Sequence, residues 1–373
     1  MLSFYCPINS TGYGVHSYNL LKEVDKLGIE LALYPVNNQT EYTNPLIDKW
    51  LENRNKFSKG DIGVMIYHEG FMNRFYGSKR IGFPVFEIGL LQKDIEMLKT
   101  LDYIFQTSHY FKDYLISLGF QNVYVVPEGY DPNIFKFDLV EISKKEKTLS
   151  EKGIVFSHVG KFEERKSSAD ILKVFTYALV DLGINCSLIV SMINPFLLNN
   201  GFDIIKNNLI DLGYSIEKDE EGAIRFVREK LRVVVMKYKI RDIRELYNIS
   251  HFGIYPSKAE GWNLPLIESI ASGVPCITTD WTGQSEYLKN YPKELIIEKG
   301  QEVVANDGIW FKGDRGKWIC PNLISFKEIL RNVVNNPIKY LNLASTCYNS
   351  VKEFTWANSA RIFKEFLEKR GLM

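Results

Sequence analysis

The sequence has little of what marks a metal, disulfide, membrane or nucleic-acid protein. Among 373 residues there are only five cysteines and five histidines. Cys6, Cys186, Cys276, Cys320 and Cys347 stand far apart and form no CxxC pair. That predicts reduced thiols in a cytoplasmic protein, not a disulfide frame or a zinc site. The histidines show no ligand spacing, so no metal is expected. No apolar run approaches membrane-spanning length, though an amphipathic patch for peripheral membrane contact stays open. The 46 basic and 45 acidic residues nearly cancel to a net charge of +1, which gives no reason to expect a nucleic-acid partner. The opening MLSFYCPINSTGYG lacks a basic leader and meets Pro7 too early for a signal peptide. There is no internal repeat, no low-complexity tract and no Asp-x-Asp anywhere.

What is present is alternation. The length suits two medium domains. SYNLLKEVDKLG reads as an amphipathic helix closed by Gly28, and IELALYPV, DIGVMIYH, IGFPVFEIG, LDYIFQTS and NVYVVPEG read as strands. Around residues 138–152, VEISKKEKTLSEKG is charged and nearly free of aromatics, the best linker candidate. A second series of strands and helices follows, from GIVFSHVG through IRDIRELYNIS and HFGIYPS to VPCITTD, and FTWANSARIFKEFLEKRG closes the sequence as a helix. Strands alternating with helices predict two α/β domains with mostly parallel sheets. Ligands in such sheets sit beyond the carboxyl ends of the strands, so two facing domains make a cleft.

Three segments carry the chemistry. In YPSKAEGWNLPLIESIASGVPCITTD, Glu260 follows a strand and Glu268 lies inside the next helix. In a continuous helix eight residues span about 12 Å, more than the roughly 5–10 Å of a glycoside-hydrolase acid pair. Two different jobs are therefore expected. The helix start, with the N–H groups of Trp262, Asn263 and Leu264, suits an anionic or hydroxyl-rich ligand. Either glutamate alone reads more simply as a cap or a surface residue. In HVGKFEERKSSADIL, Gly160 permits a turn and Lys161, Arg165 and Lys166 follow, a basic cluster that alone reads as a solvated turn. In INSTGYGVHSYNLL, Gly12 and Gly14 let a backbone approach a ligand, although Ser17 breaks any dinucleotide fingerprint.

Taken whole, P-S-x-x-E-G-x-x-L-P-x-x-E with the following A-x-G-x-P resembles the nucleotide-sugar site of retaining GT-B glycosyltransferases of the family 4 kind, on Pro256, Ser257, Glu260, Gly261, Leu264, Pro265, Glu268, Gly273 and Pro275. VVPEGYDPNIF, ELYNISHFGIYPS and FTWANSA add looser matches, with Glu128 where asparagine is usual. The resemblance implies two Rossmann-like domains facing across a cleft: an acceptor-side domain at 1–145, a nucleotide-sugar domain at 146–350, and a helix at 351–373 crossing back. It implies that Glu260 contacts the donor sugar, Glu268 the ribose, and that Lys161 and Lys166, matching G-[RK]-x4-K with Gly160, grip the diphosphate. With no Asp-x-Asp clamp, the implied transfer is metal-independent and retaining. The implied donor is a UDP- or GDP-sugar, and the acceptor a glycan, lipid-linked or other hydroxyl compound. Gly12, Gly14, Arg165, Gly261, Trp262, Asn263 and Leu264 join the donor side, with Trp262 the aromatic expected at the ligand. Glu87 ranks ahead of His68 as the first-domain residue facing the donor sugar, and His16 and His68 are acceptor-side candidates. A non-catalytic GT-B subunit and a sugar-nucleotide epimerase are the alternatives.

Overall fold

Alternation of short apolar runs with amphipathic stretches resolves into two parallel sheets. The computed structural model describes residues 1–240, 242–308 and 311–373. The first sheet comprises β1 (Leu2–Ile8), β2 (Leu31–Thr40), β3 (Ile62–Tyr67), β4 (Arg80–Pro84), β5 (Tyr103–Gln106) and β6 (Val123–Val125), in the order β2-β1-β3-β4-β5-β6. All its pairs are parallel. The second comprises β7 (Ile154–Val159), β8 (Cys186–Ser191), β9 (Ser215–Asp219), β10 (Ala223–Arg228), β11 (Leu231–Met236), β12 (Phe252–Tyr255), β13 (Cys276–Thr279) and β14 (Ile296–Ile297). Its order is β14-β13-β12-β7-β8-β11-β10-β9, and only β10 runs against its neighbours. An antiparallel hairpin, β15 (Lys299–Val304) and β16 (Lys317–Pro321), stands apart from both sheets.

The strand order locates the site. Chain direction across the first sheet switches between β1 and β3, and across the second between β7 and β12. Such switch points open a crevice at the strands' carboxyl ends. The segments following those four strands are Asn9–Gly14, His68, Gly160–Lys166 and Pro256–Asn263.

Four departures from the sequence reading have physical causes. The expected linker is a helix, Leu139–Lys152, started by the Asp138 carboxylate accepting from the Val140 N–H at 2.8 Å. Its high charge hides one inward stripe: Ile142 joins the second core, Leu149 packs on it, and buried Lys145 donates to the Tyr247 carbonyl at 2.9 Å. The expected boundary at 145 falls inside this helix. β1 went unread because Pro7 interrupts it and shifts its register against β2. The helix expected from IRDIRELYNIS begins later, at Ile243, capped by Asp242; Arg241, within that pattern, lies outside the described residues. The hairpins β9–β10 and β15–β16 were also unread, since one strand of each, β9 and β15, is largely exposed and polar.

The terminal helix Trp356–Lys369 places Ala360, Phe363, Phe366 and Leu367 in the first-domain core, against Phe4 and Phe105. Burying Phe363 and Leu367 contributes about 1.5–3 kcal/mol each. Among the described residues, no helix is long and apolar enough to cross a membrane.

Candidate active site

At the second switch point, charge is buried. Glu260 is 4% exposed, yet its carboxylate is ionised. Oε1 accepts from Lys166 Nζ at 2.6 Å and from Ser257 Oγ at 2.7 Å; Oε2 accepts from Arg165 Nη1 at 2.7 Å. Burial alone would raise its pKa, but Arg165 and Lys166 together bring it down to about 2. Arg165 Nη1 also donates to the Ala259 carbonyl at 2.7 Å, and Nη2 to Glu163 at 2.6 Å. Burial works against the guanidinium's charge; Glu260, Glu163 and Glu87 more than offset it and hold its pKa above the ordinary value. The turn that aims Arg165 and Lys166 inward ends in Ser167, which sits in the left-handed region at φ 52°.

The first domain closes the same crevice. Glu87 Oε1 lies 3.7 Å from Arg165 Nη2. Thr107 Oγ1 donates to the Gly261 carbonyl at 2.6 Å. A Cβ on Gly261 would stand 2.7 Å from Val85 Cγ1, so glycine is what admits this approach. Gly12 and Gly14 open a helix, Gly12–Lys26, and do not form a free loop. Gly14 packs on Asn9, whose carbonyl oxygen would be 2.2 Å from an added Cβ; around Gly12 there is open space. Tyr13 between them donates to the Val85 carbonyl and lies 3.1 Å from His68 Nδ1. Tyr13 thus ties His68 to the strand end that carries Glu87. It escaped the sequence reading, although its place between two glycines was a usable signal.

Other candidates fall elsewhere. Lys161 is half-exposed, 3.5 Å from Glu163, with Nζ over the Phe196 ring at 5.4 Å. It does not join Lys166 on Glu260. Trp262 is 2% exposed and turns its ring into the core, against Tyr287 and Phe354, not toward a ligand. His16 is 1% exposed, between Phe83 and Trp356 and 3.0 Å from Glu128, so it is enclosed and not on an acceptor surface. Asn263 is held at φ 74° by its side-chain bond to Gln284 at 2.8 Å, and Leu264 begins the helix Leu264–Ala271. Glu268, in that helix, is partly buried and makes no side-chain hydrogen bond among the described residues. Burial pushes its carboxyl up to about 8; Lys239 opposes this and Glu128 adds to it. Lys239 itself donates to the Ser10 carbonyl of the first domain. Gly160 is needed for space, since a Cβ would stand 2.9 Å from Lys166 Cδ and 3.0 Å from His158 Nε2. Buried Arg165 Nε, His158 Nε2 and Asn263 Oδ1 have no hydrogen-bond partner among the described residues. Among the described residues, no group of three or more His, Cys, Asp or Glu is arranged to hold a metal.

Residues 218–311, which include the Glu260–Glu268 segment, match the family described as glycosyl transferases group 1. The whole chain superposes on sucrose-phosphate synthase from Thermosynechococcus elongatus with a TM-score of 0.67 at 12% identity, covering 100% of this chain and 99% of that one. The chain has the GT-B fold. Anabaena HepE in complex with UDP-glucose is a second GT-B likeness, with a TM-score of 0.61 at 14% identity over 99% of both chains. In sequence, this GT-B chain is 25% identical over 228 residues to the capsular polysaccharide biosynthesis glycosyltransferase CapM of Staphylococcus aureus. It is 26% identical over 176 residues to an Escherichia coli UDP-Gal:alpha-D-GlcNAc-diphosphoundecaprenol alpha-1,3-galactosyltransferase. The matches cover 59% and 47% of this chain, and 53% and 41% of those proteins. The chain thus spans about half the length of the curated relatives it matches.

Proposed function

We propose that the protein transfers a sugar from a nucleotide-sugar donor, a UDP-sugar in the first instance, to an acceptor hydroxyl with retention and without a metal. The observation that carries this reading is the buried Glu163–Arg165–Glu260–Lys166 network at the second sheet's switch point, met by Glu87 from beyond the end of β4 in the first. A carboxylate kept ionised beside two cations suits a sugar carbon that gains positive charge while its leaving group gains negative charge. Arg165 Nε, His158 Nε2 and Asn263 Oδ1 are buried polar atoms of the kind a polyhydroxyl or phosphate ligand satisfies.

The donor diphosphate takes Lys166, Lys161 and the start of helix Leu264–Ala271, and Glu268 takes the ribose. The glycosidic C–O bond breaks with its electron pair passing to the diphosphate oxygen. The acceptor oxygen bonds to the same face of the sugar carbon, and its proton goes to that diphosphate oxygen. Glu260 is too strongly held by two cations to serve as the base. UDP is favoured by the relatives and neighbours: HepE is seen with UDP-glucose, and the E. coli enzyme uses UDP-Gal on a lipid-linked acceptor. The same likeness supports a glycan or lipid-linked acceptor, and five unpaired cysteines support a cytoplasmic location.

The test is thermal shift and donor hydrolysis with UDP-, GDP-, ADP- and CMP-sugars, run beside Glu268→Ala. Stabilisation by UDP-sugars, weakened in the variant and accompanied by slow hydrolysis, is expected. No response to any donor overturns the reading in favour of a non-catalytic subunit.

A further inference from the structure

The hairpin β15–β16 leaves the second domain and touches the first beside Glu87. The Gly89 N–H donates to the Arg315 carbonyl at 3.0 Å, and a Cβ on Gly89 would stand 2.7 Å from that oxygen. Arg315 Nη1 lies 3.1 Å from Glu69 and Nη2 3.8 Å from Asp94, both first-domain carboxylates. Beneath them a small apolar cluster, Ile88, Ala259, Ala305 and Trp318, joins the two domains. The hairpin is therefore docked at its end as well as its base.

Between hairpin and first domain is a cavity of about 340 Å³, lined among others by Glu87, Tyr110, Tyr114, Thr282, Asp314 and Lys317. Two of these walls belong to the candidate active site. Glu87 faces Arg165, and Thr282 Oγ1 accepts the Glu260 N–H at 2.8 Å. A molecule in this cavity thus reaches the place where the donor sugar would react. Its chemistry can be read from the walls. Arg315, the cation held in place on this wall, is committed to Glu69 and Asp94, and Lys317 is an exposed side chain 3.1 Å from Glu302, so the wall fixes no spare cation for a phosphate. What the cavity offers is an exposed aromatic side chain, Tyr110 at 49% exposure, and carboxylate acceptors, Glu87 and Asp314. Few polar groups on a partly apolar wall are what orients a small hydroxylated ligand.

We propose that the β15–β16 hairpin builds the acceptor subsite, that this subsite takes a neutral saccharide ring, and that Asp314 and Tyr110 select it, with Arg315 positioning the hairpin. The inference rests on the transfer reading above. It goes beyond that reading by assigning acceptor choice to an element of the donor-side domain.

The test is saturation-transfer NMR of the full chain in the presence of UDP, with p-nitrophenyl glucosides, galactosides and N-acetylglucosaminides of both anomers as probes. Asp314→Asn and Tyr110→Ala are compared with the wild type, and UDP binding is followed by thermal shift in each. At least one glycoside is expected to bind the wild type and to weaken by about tenfold in a variant, the effect of losing one charge-assisted hydrogen bond. UDP stabilisation is expected to stay unchanged in both variants, which also shows that they fold. Binding that persists undiminished in both variants, or no glycoside binding while UDP stabilises, overturns the subsite. Hairpin-dependent glycoside binding with no response to UDP supports the subsite and sinks the donor reading instead.

Discussion

Glu260→Gln keeps the shape of the side chain and removes one negative charge from a buried set of two carboxylates and two cations. The folded protein holds this carboxyl at about 2 against an ordinary 4.5, with burial opposing and Arg165 and Lys166 prevailing. At 1.36 kcal/mol per pH unit, that gap corresponds to about 3 kcal/mol in favour of the ionised folded state. Because the folded-state value is the depressed one, the stabilisation is complete above about pH 4.5 and is lost as pH falls toward 2. The loss on substitution is of the size expected when one partner of a buried ion pair is removed, since Arg165 then keeps only Glu163 and the more distant Glu87, and Lys166 keeps only a neutral partner. Differential scanning calorimetry at pH 7 should show Tm lowered by roughly 6–12 °C for a domain of this size. Repeated at pH 3, the difference between variant and wild type should narrow. A variant melting within about 2 °C of wild type at pH 7, or one whose deficit is the same at both pH values, would refute the electrostatic account.

Lys166→Ala should reduce donor hydrolysis and transfer by about 100-fold or more, the cost of removing one preorganised charge-stabilising donor. Near-normal steady-state turnover would remove the diphosphate assignment. Glu268→Gln should melt at a temperature that rises relative to wild type between pH 5 and pH 8. Its carboxyl is raised to about 8, so the folded state loses stability as pH climbs from the ordinary 4.5 through that value; a constant offset across that range in a melting series would contradict it. Incubation with EDTA should leave transfer unchanged, and a strong loss restored by adding back magnesium or manganese would show that a metal takes part.

The legible part of the site was the part whose constraints are local. Pro265 starting a helix, Gly273 ending it at φ 74°, and glutamates on either side of its first residue are sequence-near facts, and they predict two carboxylates with different jobs. The structure puts those two in opposite environments: Glu260 between two cations at about 2, and Glu268 partly buried, with no side-chain hydrogen bond among the described residues, at about 8. Inside the basic turn the same logic stops. Three cations in six residues look equivalent on paper, yet the left-handed Ser167 sends Arg165 and Lys166 inward and leaves Lys161 half-exposed. Likewise, charge density hid the inward stripe of helix Leu139–Lys152, because Lys145 is buried through its bond to Tyr247 and not through any apolarity.

What no periodicity can report is contact between elements far apart in the sequence. Glu87 reaches Arg165 only because the Gly261 backbone lies against Val85 and its carbonyl accepts from Thr107. The same carbonyl would stand 2.0 Å from a Cβ on Gly283, whose N–H donates to the Glu260 carbonyl at 2.9 Å. Two glycines from different loops therefore stack backbone on backbone under the ionised glutamate, and the first domain rests on that stack. The absence of side chains at these two positions lets the network in one domain and the carboxylate of the other share one crevice. Glycine in each loop is visible in the sequence; that the two meet is a property of the fold alone.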